Sequence, residues 1–148
     1  GIAETKWVGR LEPVFDSPYC VIDAAHNPDS VNSLAKAIDT LFKDRKIVAV
    51  MGMLADKDYD VCIPEIARRA EAFVAARPDS PRALDAEETA IIAAKHCSNV
   101  FVRSSIREAV DKAFELAGKD CMVLICGSLY LIGEAKTYIR TLKTGAVG

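Results

Sequence analysis

Apolar and polar positions along the chain follow two periods. Continuous short apolar runs are typical of strands that are buried on both faces of a sheet. Between these runs, apolar residues recur every three or four positions, which is the spacing of a helix with one buried face. The predicted strands are 21–22, 46–51, 73–76, 100–102 and 122–126, and the predicted helices are 28–42, 60–69, 86–97, 106–117 and 132–142.

The alternation of strand and helix predicts an α/β domain. Its sheet should be Rossmann-like and mostly parallel, with about five to six strands and with helices on both faces. Residues 7–15 are expected to add a strand or hairpin at the edge of the sheet. We interpret residues 1–9 as the remnant of an interdomain linker and residues 10–148 as one domain. Trp7, the only tryptophan, either anchors that linker or covers the core.

Polar residues mark the beginnings of three predicted helices. Asn27 is expected to cap the first of them, because its side chain can accept a hydrogen bond from the first turn. Asp85 with Glu88, and Ser105 with Glu108, have the spacing of capping boxes. These signals place two more helix starts, at residues 86 and 106.

Composition narrows the class of protein. Hydrophobic residues make up 51% of the chain, which is enough for a full core without disulfide or metal staples. Nineteen basic and 21 acidic residues give a net charge of −2, which argues against a dedicated nucleic-acid binder. No apolar run approaches the roughly 18 residues of a membrane span, and no signal peptide is visible. We therefore expect a cytoplasmic protein that binds neither nucleic acid nor membrane.

Cysteine and histidine form no metal-binding pattern. The five cysteines include no Cys-x-x-Cys pair and lie mostly in apolar stretches, so we expect buried, reduced thiols. His26 and His96 are the only histidines, and neither has the spacing of a metal ligand. His96 lies late in a helix, where a positive side chain suits the helix dipole. The sequence therefore predicts no metal site.

Four loops that follow predicted strands are polar or small: 23–27, 56–58, 77–82 and 127–128. In an open α/β sheet, ligands bind outside the carboxyl ends of the strands. If the strands are parallel, all four loops gather along that edge. Their order in the sequence therefore predicts a ligand site there.

The usual phosphate-binding loops do not occur in the sequence. Neither Gly-x-x-x-x-Gly-Lys-Ser/Thr nor Gly-x-Gly-x-x-Gly is found. A nucleotide would therefore have to be shared with another domain that carries the phosphate loop.

Three residues are the main candidates for contacts with a ligand. Asp23 follows a buried strand, so it either accepts hydrogen bonds from ribose hydroxyls or closes a turn at the end of the strand. His26 precedes a helix N-terminus, where anions are favoured, so it either holds a carboxylate or acyl phosphate or is a half-buried loop residue. Arg10 offers a rigid fork for phosphate or carboxylate.

Five further residues are weaker candidates. Loop charges are solvated by default, and Ser128 has the position of a cap for the last helix. The weaker candidates for contacts with a ligand are Asn27, Asp56, Lys57, Arg82 and Ser128.

Five short motifs follow one another along the chain. They are Trp-Val-Gly-Arg-Leu-Glu (7–12), Asp-Ala-Ala-His-Asn-Pro (23–28), Gly-Met-Leu-Ala-Asp-Lys-Asp (52–58), Pro-Arg-Ala (81–83) and Gly-Ser-Leu-Tyr-Leu-Ile-Gly-Glu (127–134). In this order they resemble motifs of the C-terminal domain of folylpolyglutamate and dihydrofolate synthases, in the Mur ligase superfamily. The second motif is shared loosely with the Mur peptidoglycan ligases.

The resemblance implies an ATP-dependent ligase. An N-terminal ATPase domain, absent from this chain, would carry the phosphate loop and the Mg²⁺ ligands, and ATP would bind between the two domains. A carboxylate of folate or dihydropteroate would be phosphorylated to an acyl phosphate, which the amine of L-glutamate then attacks. The 148 residues alone are expected to be inactive, because they have no phosphate loop.

By the same resemblance, Arg10 would contact the ATP phosphates and Asp23 the nucleotide sugar. His26 would lie near the incoming glutamate or the acyl phosphate. Two alternatives stay open: the C-terminal domain of a Mur peptidoglycan ligase, and a stand-alone nucleotide-binding regulatory module.

Overall fold

A computed structural model of the chain describes residues 9–147, with side chains as far as residue 144. Residues 1–8, which include Trp7 and most of the predicted linker remnant, lie outside the described residues. The strands are β1 (Glu12–Asp16), β2 (Tyr19–Asp23), β3 (Lys46–Met51), β4 (Ala72–Ala75), β5 (Val100–Val102) and β6 (Cys121–Cys126). The helices are α1 (Pro28–Leu41), α2 (Tyr59–Ala67), α3 (Ala86–Ala93), α4 (Ile106–Ala117) and α5 (Leu129–Val147).

The strands form one sheet in the order β1-β2-β6-β3-β4-β5. β1 is antiparallel to β2, whereas all the other neighbouring strands are parallel. This confirms the mostly parallel sheet of the α/β prediction. The hairpin expected at the edge of the sheet is the β1–β2 pair.

The four central parallel strands end level with one another. Asp23 in β2 and Met51 in β3 both pair with Cys126 in β6, and Ala75 in β4 pairs with Met51. The loops that follow these residues therefore leave the sheet along one edge, which is where the sequence placed the polar loops.

Helices cover both faces of the sheet, as predicted. Successive residues of β3 point to opposite faces. Ile47 and Met51 pack with α1, α2 and α3, whereas Val48 and Val50 pack with α4 and α5. Burial on both faces explains why the strands are continuous apolar runs rather than alternating ones.

Two helices begin with the predicted caps. The Asn27 side chain accepts a hydrogen bond from the Ser30 N–H at 2.9 Å, and Ser30 Oγ accepts one from the Asn27 N–H at 3.1 Å. Ser105 Oγ accepts a hydrogen bond from the Glu108 N–H at 3.1 Å. The polar residues before α1 and α4 therefore satisfy backbone donors that the first helical turn leaves free.

The capping box predicted at Asp85 is wrong. Asp85 precedes α3, but its side chain makes no capping hydrogen bond. Its carboxylate accepts a hydrogen bond from Arg77 Nε at 3.4 Å instead. The helix also ends at Ala93 rather than at residue 97, because the backbone tightens there into turns whose hydrogen bonds span three residues.

Thr89 is a buried hydroxyl residue with no hydrogen-bond partner for its Oγ1 in the structure. Replacing it with valine keeps the shape and removes the unsatisfied hydroxyl, so the free energy of unfolding should rise by about 1 kcal/mol. Urea unfolding would measure this. Thr137→Val is the matched control, because Thr137 is exposed and donates to the Gly133 carbonyl at 3.1 Å. Equal changes in the two variants would contradict the prediction.

The cysteines have the predicted state. All five are buried free thiols, namely Cys20, Cys62, Cys97, Cys121 and Cys126. Burial raises the pKa of Cys20 to about 12, so this side chain stays a neutral thiol. In the described part of the chain, no helix is both long and apolar enough to cross a membrane.

Candidate functional site

The site lies where the topology of the sheet changes direction. β6 separates β2 from β3, and the helices that follow β3 and β6 pack on opposite faces, α2 on one and α5 on the other. The loops after these two neighbouring strands therefore diverge and leave a crevice between them. Ligands of open α/β sheets bind at such a point.

A pocket of about 460 Å³ occupies this crevice. It brings together four residues that the sequence proposed from four separate loops: His26, Lys57, Arg82 and Ser128. Its complete lining is His26, Leu54, Lys57, Arg82, Gly127, Ser128, Leu129 and Tyr130.

Backbone pairing between two loops places Lys57 and Arg82 at the same pocket. Leu54 forms an isolated antiparallel bridge with Ala83, and the Ala55 N–H donates to the Arg82 carbonyl at 2.7 Å. The loop after β3 and the loop after β4 are therefore held together as one wall.

The charge of the pocket is positive. Arg82 donates from Nη1 to Asp56 Oδ2 at 2.9 Å, and both side chains are about half exposed. Such an exposed pair adds little stability. Within residues 9–147, Lys57 has no ion-pair partner, and no carboxylate is among the residues that line the pocket. The pocket therefore suits an anionic ligand.

His26 is held in one orientation by its own loop. Its Nδ1 lies 2.9 Å from the Ala24 carbonyl oxygen, and its N–H donates to Ser30 Oγ at 3.0 Å. A hydrogen bond to a carbonyl requires the proton on Nδ1, so in the neutral ring Nε2 is an acceptor. Asn27 next to it uses its side-chain oxygen for the α1 cap and does not line the pocket.

Ser128 caps the last helix. Its Oγ accepts a hydrogen bond from the Tyr130 N–H at 3.1 Å, and only 2% of the residue is exposed. The cap is therefore the role that the structure supports, although the residue also lines the pocket.

Glycines let the strand ends approach closely behind the pocket. Gly127 has a φ of +114°, and its N–H donates to the Ala25 carbonyl at 3.1 Å. A Cβ at Gly127 would overlap the Gly52 carbonyl oxygen, and one at Gly52 would overlap the carbonyl oxygen of Ala76. The ends of β2, β6, β3 and β4 are thus packed backbone against backbone.

Asp23 connects the end of β2 to the segment before β1. It is 2% exposed, and its two carboxylate oxygens accept hydrogen bonds from the N–H groups of Ala25 at 2.9 Å and Leu11 at 3.1 Å. Burial raises the pKa of Asp23, and these two hydrogen bonds and nearby Arg10 oppose the rise. Of the two roles considered from the sequence, the structure supports the turn at the end of the strand; contact with a sugar stays a prediction.

Arg10 lies at the same edge of the sheet. Its Nε is 3.9 Å from Asp23 Oδ2, and about half of its side chain is exposed. Leu11 after it has a φ of +46°, a left-handed conformation that the Asp23 hydrogen bond helps to hold.

Three pocket residues were missed from the sequence, namely Leu54, Leu129 and Tyr130. Leu129 and Tyr130 line the pocket with 62% and 49% of their surface exposed, which is unusual for large apolar side chains. Their position directly after Gly127-Ser128 was the available signal. In contrast, Arg77 belongs to a different groove with Arg103 and Asp85, so the predicted loop 77–82 contributes only Arg82 to the lining of this pocket.

Comparisons with known proteins identify the family of the chain. A family model described as "Mur ligase, glutamate ligase domain" matches residues 9–129. The chain belongs to this family. All of the residues that line the pocket, except Tyr130, lie within the matched region.

Three relatives are similar to this glutamate ligase domain. A folylpolyglutamate synthase of Lacticaseibacillus casei is 35% identical over 92% of the chain and 30% of its own length. The Mycobacterium tuberculosis folylpolyglutamate synthase with ADP and AMPPCP has a TM-score of 0.81 and 33% identity, over 88% of this chain and 32% of that one. E. coli FolC with DHPP and ADP has a TM-score of 0.82 and 28% identity, over 91% of this chain and 32% of that one. The chain thus spans about a third of the length of these relatives.

Proposed function

We propose that this domain is the glutamate-binding part of an ATP-dependent ligase that joins L-glutamate to a folate or to dihydropteroate. The observation that carries the proposal is the positively charged pocket at the switch point of the sheet, which His26, Lys57 and Arg82 line without any carboxylate. The similarity to folylpolyglutamate synthases supports the choice of folate over the UDP-muramyl peptides on which Mur peptidoglycan ligases act.

Each pocket residue has a role in this proposal. Lys57 pairs with one carboxylate of glutamate, and Arg82 binds the other through the N–H groups that its Nη1 contact with Asp56 does not use. His26 Nε2 accepts a hydrogen bond from the glutamate amine and so orients the nucleophile. Leu129 and Tyr130 form an apolar wall that limits the access of water.

The described residues fit ATP in part and do not provide a set of metal ligands. Arg10 is a half-exposed cation at the correct edge for phosphate, and Asp23 positions it. Bound ATP would supply the phosphoryl group that activates the folate carboxylate for attack by the amine. No group of three His, Cys, Asp or Glu side chains within residues 9–147 is arranged to hold a metal ion. The proposal therefore assigns the Mg²⁺ ligands to the N-terminal ATPase domain of the same enzyme.

Replacing Lys57 with methionine should weaken L-glutamate binding by about tenfold to a hundredfold, because a charged hydrogen bond contributes about 1.5–3 kcal/mol. NMR titration of the chain would give the affinity and would show perturbed amides near His26 and Ser128. Lys119→Met is the matched control, since Lys119 is exposed and does not line the pocket.

Equal affinities of the Lys57→Met and Lys119→Met variants would remove Lys57 from the site. An enzyme extended by its N-terminal domain should consume dihydropteroate or a folate in preference to a UDP-muramyl peptide. The opposite preference would favour the Mur peptidoglycan ligase alternative.

A further inference from the structure

Ser30, in the first turn of α1, has a hydroxyl group that does more than cap the helix. In a capping box, the side chain at this position accepts one hydrogen bond from the N–H of the cap residue, which here is Asn27. Ser30 Oγ accepts that hydrogen bond at 3.1 Å and accepts a second one, at 3.0 Å, from the N–H of His26. A single oxygen atom therefore binds two consecutive peptide groups of the loop that carries the pocket histidine.

The hydroxyl of Ser30 is fully engaged by these contacts. Its proton is donated to Asn27, whose side-chain oxygen lies 2.9 Å and whose carbonyl oxygen lies 3.2 Å from Ser30 Oγ. A hydroxyl has two acceptor lone pairs, and the N–H groups of His26 and Asn27 use both of them. An alanine at position 30 would leave both N–H groups without this acceptor.

The two peptide groups that Ser30 binds lie on either side of the His26 Cα. Each peptide group is planar, so the orientations of these two planes set the φ and ψ of His26. The first plane is also held at its opposite end, because the Ala25 carbonyl accepts a hydrogen bond from the Gly127 N–H at 3.1 Å. Ser30 thus helps to fix the direction in which the side chain of His26 leaves the backbone.

The position of the His26 ring depends on this direction. Nδ1 of the ring lies 2.9 Å from the carbonyl oxygen of Ala24, two residues earlier in the same loop. A hydrogen bond between such close neighbours in the chain forms only over a restricted range of angles, because few rotatable bonds separate the two groups. The bond keeps the proton on Nδ1 and leaves Nε2 as the acceptor that the proposed glutamate site requires.

We propose that Ser30 is a positioning residue of the glutamate site, which acts through His26. Ser30 is not among the residues that line the pocket, so it does not bind the ligand itself. It holds the His26 ring with Nε2 free to accept a hydrogen bond from the amine of L-glutamate. This inference rests on the proposed function, from which it takes its ligand. The tautomer of His26 tests the positioning without any ligand.

The first experiment measures the tautomers of the imidazole rings by long-range ¹H–¹⁵N NMR, at a pH where histidine is neutral. The chain has two histidines, and the exposed His96 is the internal reference. His26 should carry its proton mainly on Nδ1 in the natural chain. In Ser30→Ala this preference should fall towards the ratio at His96. Ser30→Thr keeps the hydroxyl oxygen and should restore the preference.

The second experiment measures the affinity for L-glutamate by NMR titration. Ser30→Ala should weaken binding by roughly threefold to tenfold, which is the loss expected for one neutral hydrogen bond, here the one from the amine to His26 Nε2. Ser105→Ala is the matched control. It removes the serine cap of α4, where Ser105 Oγ accepts from the Glu108 N–H at 3.1 Å, and Ser105 does not line the pocket. This control should leave the affinity and the tautomer of His26 unchanged.

Three results would each overturn the inference: an unchanged tautomer of His26 in Ser30→Ala, the same tautomer ratio in Ser30→Ala and Ser30→Thr, or equal losses of affinity in Ser30→Ala and Ser105→Ala. Circular dichroism verifies that the variants fold, and Ser30→Cys, whose sulfur is only a weak acceptor, repeats the test in a second background. Failure of the proposed function is a separate result, because L-glutamate then leaves the natural chain unperturbed while the tautomer of His26 still responds to Ser30→Ala.

Discussion

Replacing Gly127 with alanine should lower the free energy of unfolding by about 4 kcal/mol, through backbone strain of about 1–3 kcal/mol and overlap of about 1–3 kcal/mol. Gly127 has a φ of +114°, which L side chains rarely adopt, and an added Cβ would overlap the Gly52 carbonyl and lie 3.0 Å from Met51 Cγ. That carbonyl belongs to the neighbouring strand end and has little room to move. Such a loss is a large part of the total stability of a domain.

Alanine variants of three further glycines separate the two causes of this loss, which are backbone strain and steric overlap. Gly52→Ala tests overlap alone, since an added Cβ would meet the Ala76 carbonyl and Pro78 Cδ at a residue without positive φ. Gly118→Ala tests strain alone, because its φ is +52° with open space around it. Gly133→Ala has neither penalty and should stabilise α5 slightly, as alanine is the better helix former. If urea unfolding gave the Gly127→Ala and Gly133→Ala variants the same free energy of unfolding, the close packing of Gly127 against Gly52 would be contradicted.

Replacing Asp23 with alanine should cost about 2–4 kcal/mol, because two backbone donors, one of them fully buried, lose their acceptor. The Leu11 N–H would be left without its carboxylate, so the segment that carries Arg10 should loosen from β2. Asp56→Ala is the control, since it removes a carboxylate from a half-exposed pair and should cost less than about 1 kcal/mol. Urea unfolding and amide exchange at Leu11 would measure both effects. Equal losses would show that Asp23 does not hold this segment.

The burial of Asp23 also predicts that the stability of the fold depends on pH. Burial raises the pKa of Asp23 in the folded state above its ordinary value, so between the two values the folded state binds more protons than the unfolded chain. Its contribution to stability is complete below the unfolded pKa and is lost as the pH rises through the folded pKa. Asp23→Asn lacks this titration. The stability of the natural chain relative to Asp23→Asn should therefore fall as the pH rises through the acidic range, and a constant difference would contradict the raised pKa.

The sequence predicted the strands and the position of the site because both depend on local patterns. A continuous apolar run such as residues 47–51 has only one common interpretation in an α/β chain, and parallel strands bring their loops to one edge. The convergence of His26 and Lys57 followed from that rule alone.

Other features depend on contacts that no local pattern contains. The position of β6 between β2 and β3 depends on the order of the strands in the sheet, which the pattern of a single strand does not specify. The Asp85 cap failed because Arg77, eight residues earlier, attracts the same carboxylate. The close approach of Gly52 and Gly127 joins residues 75 positions apart, by difference of their numbers, and isolated glycines do not indicate which of them touch.

The central position of β6 has a consequence for biosynthesis. Of the six strands that residues 9–147 form, β6 is the last that the ribosome makes, yet β2 and β3 reach each other only through it. Until Cys126 has left the ribosomal tunnel, both of these strands have an unpaired edge, which is open to association with other chains. The loop that carries Ser128 emerges directly afterwards. Completion of the sheet and formation of the binding pocket therefore coincide during translation.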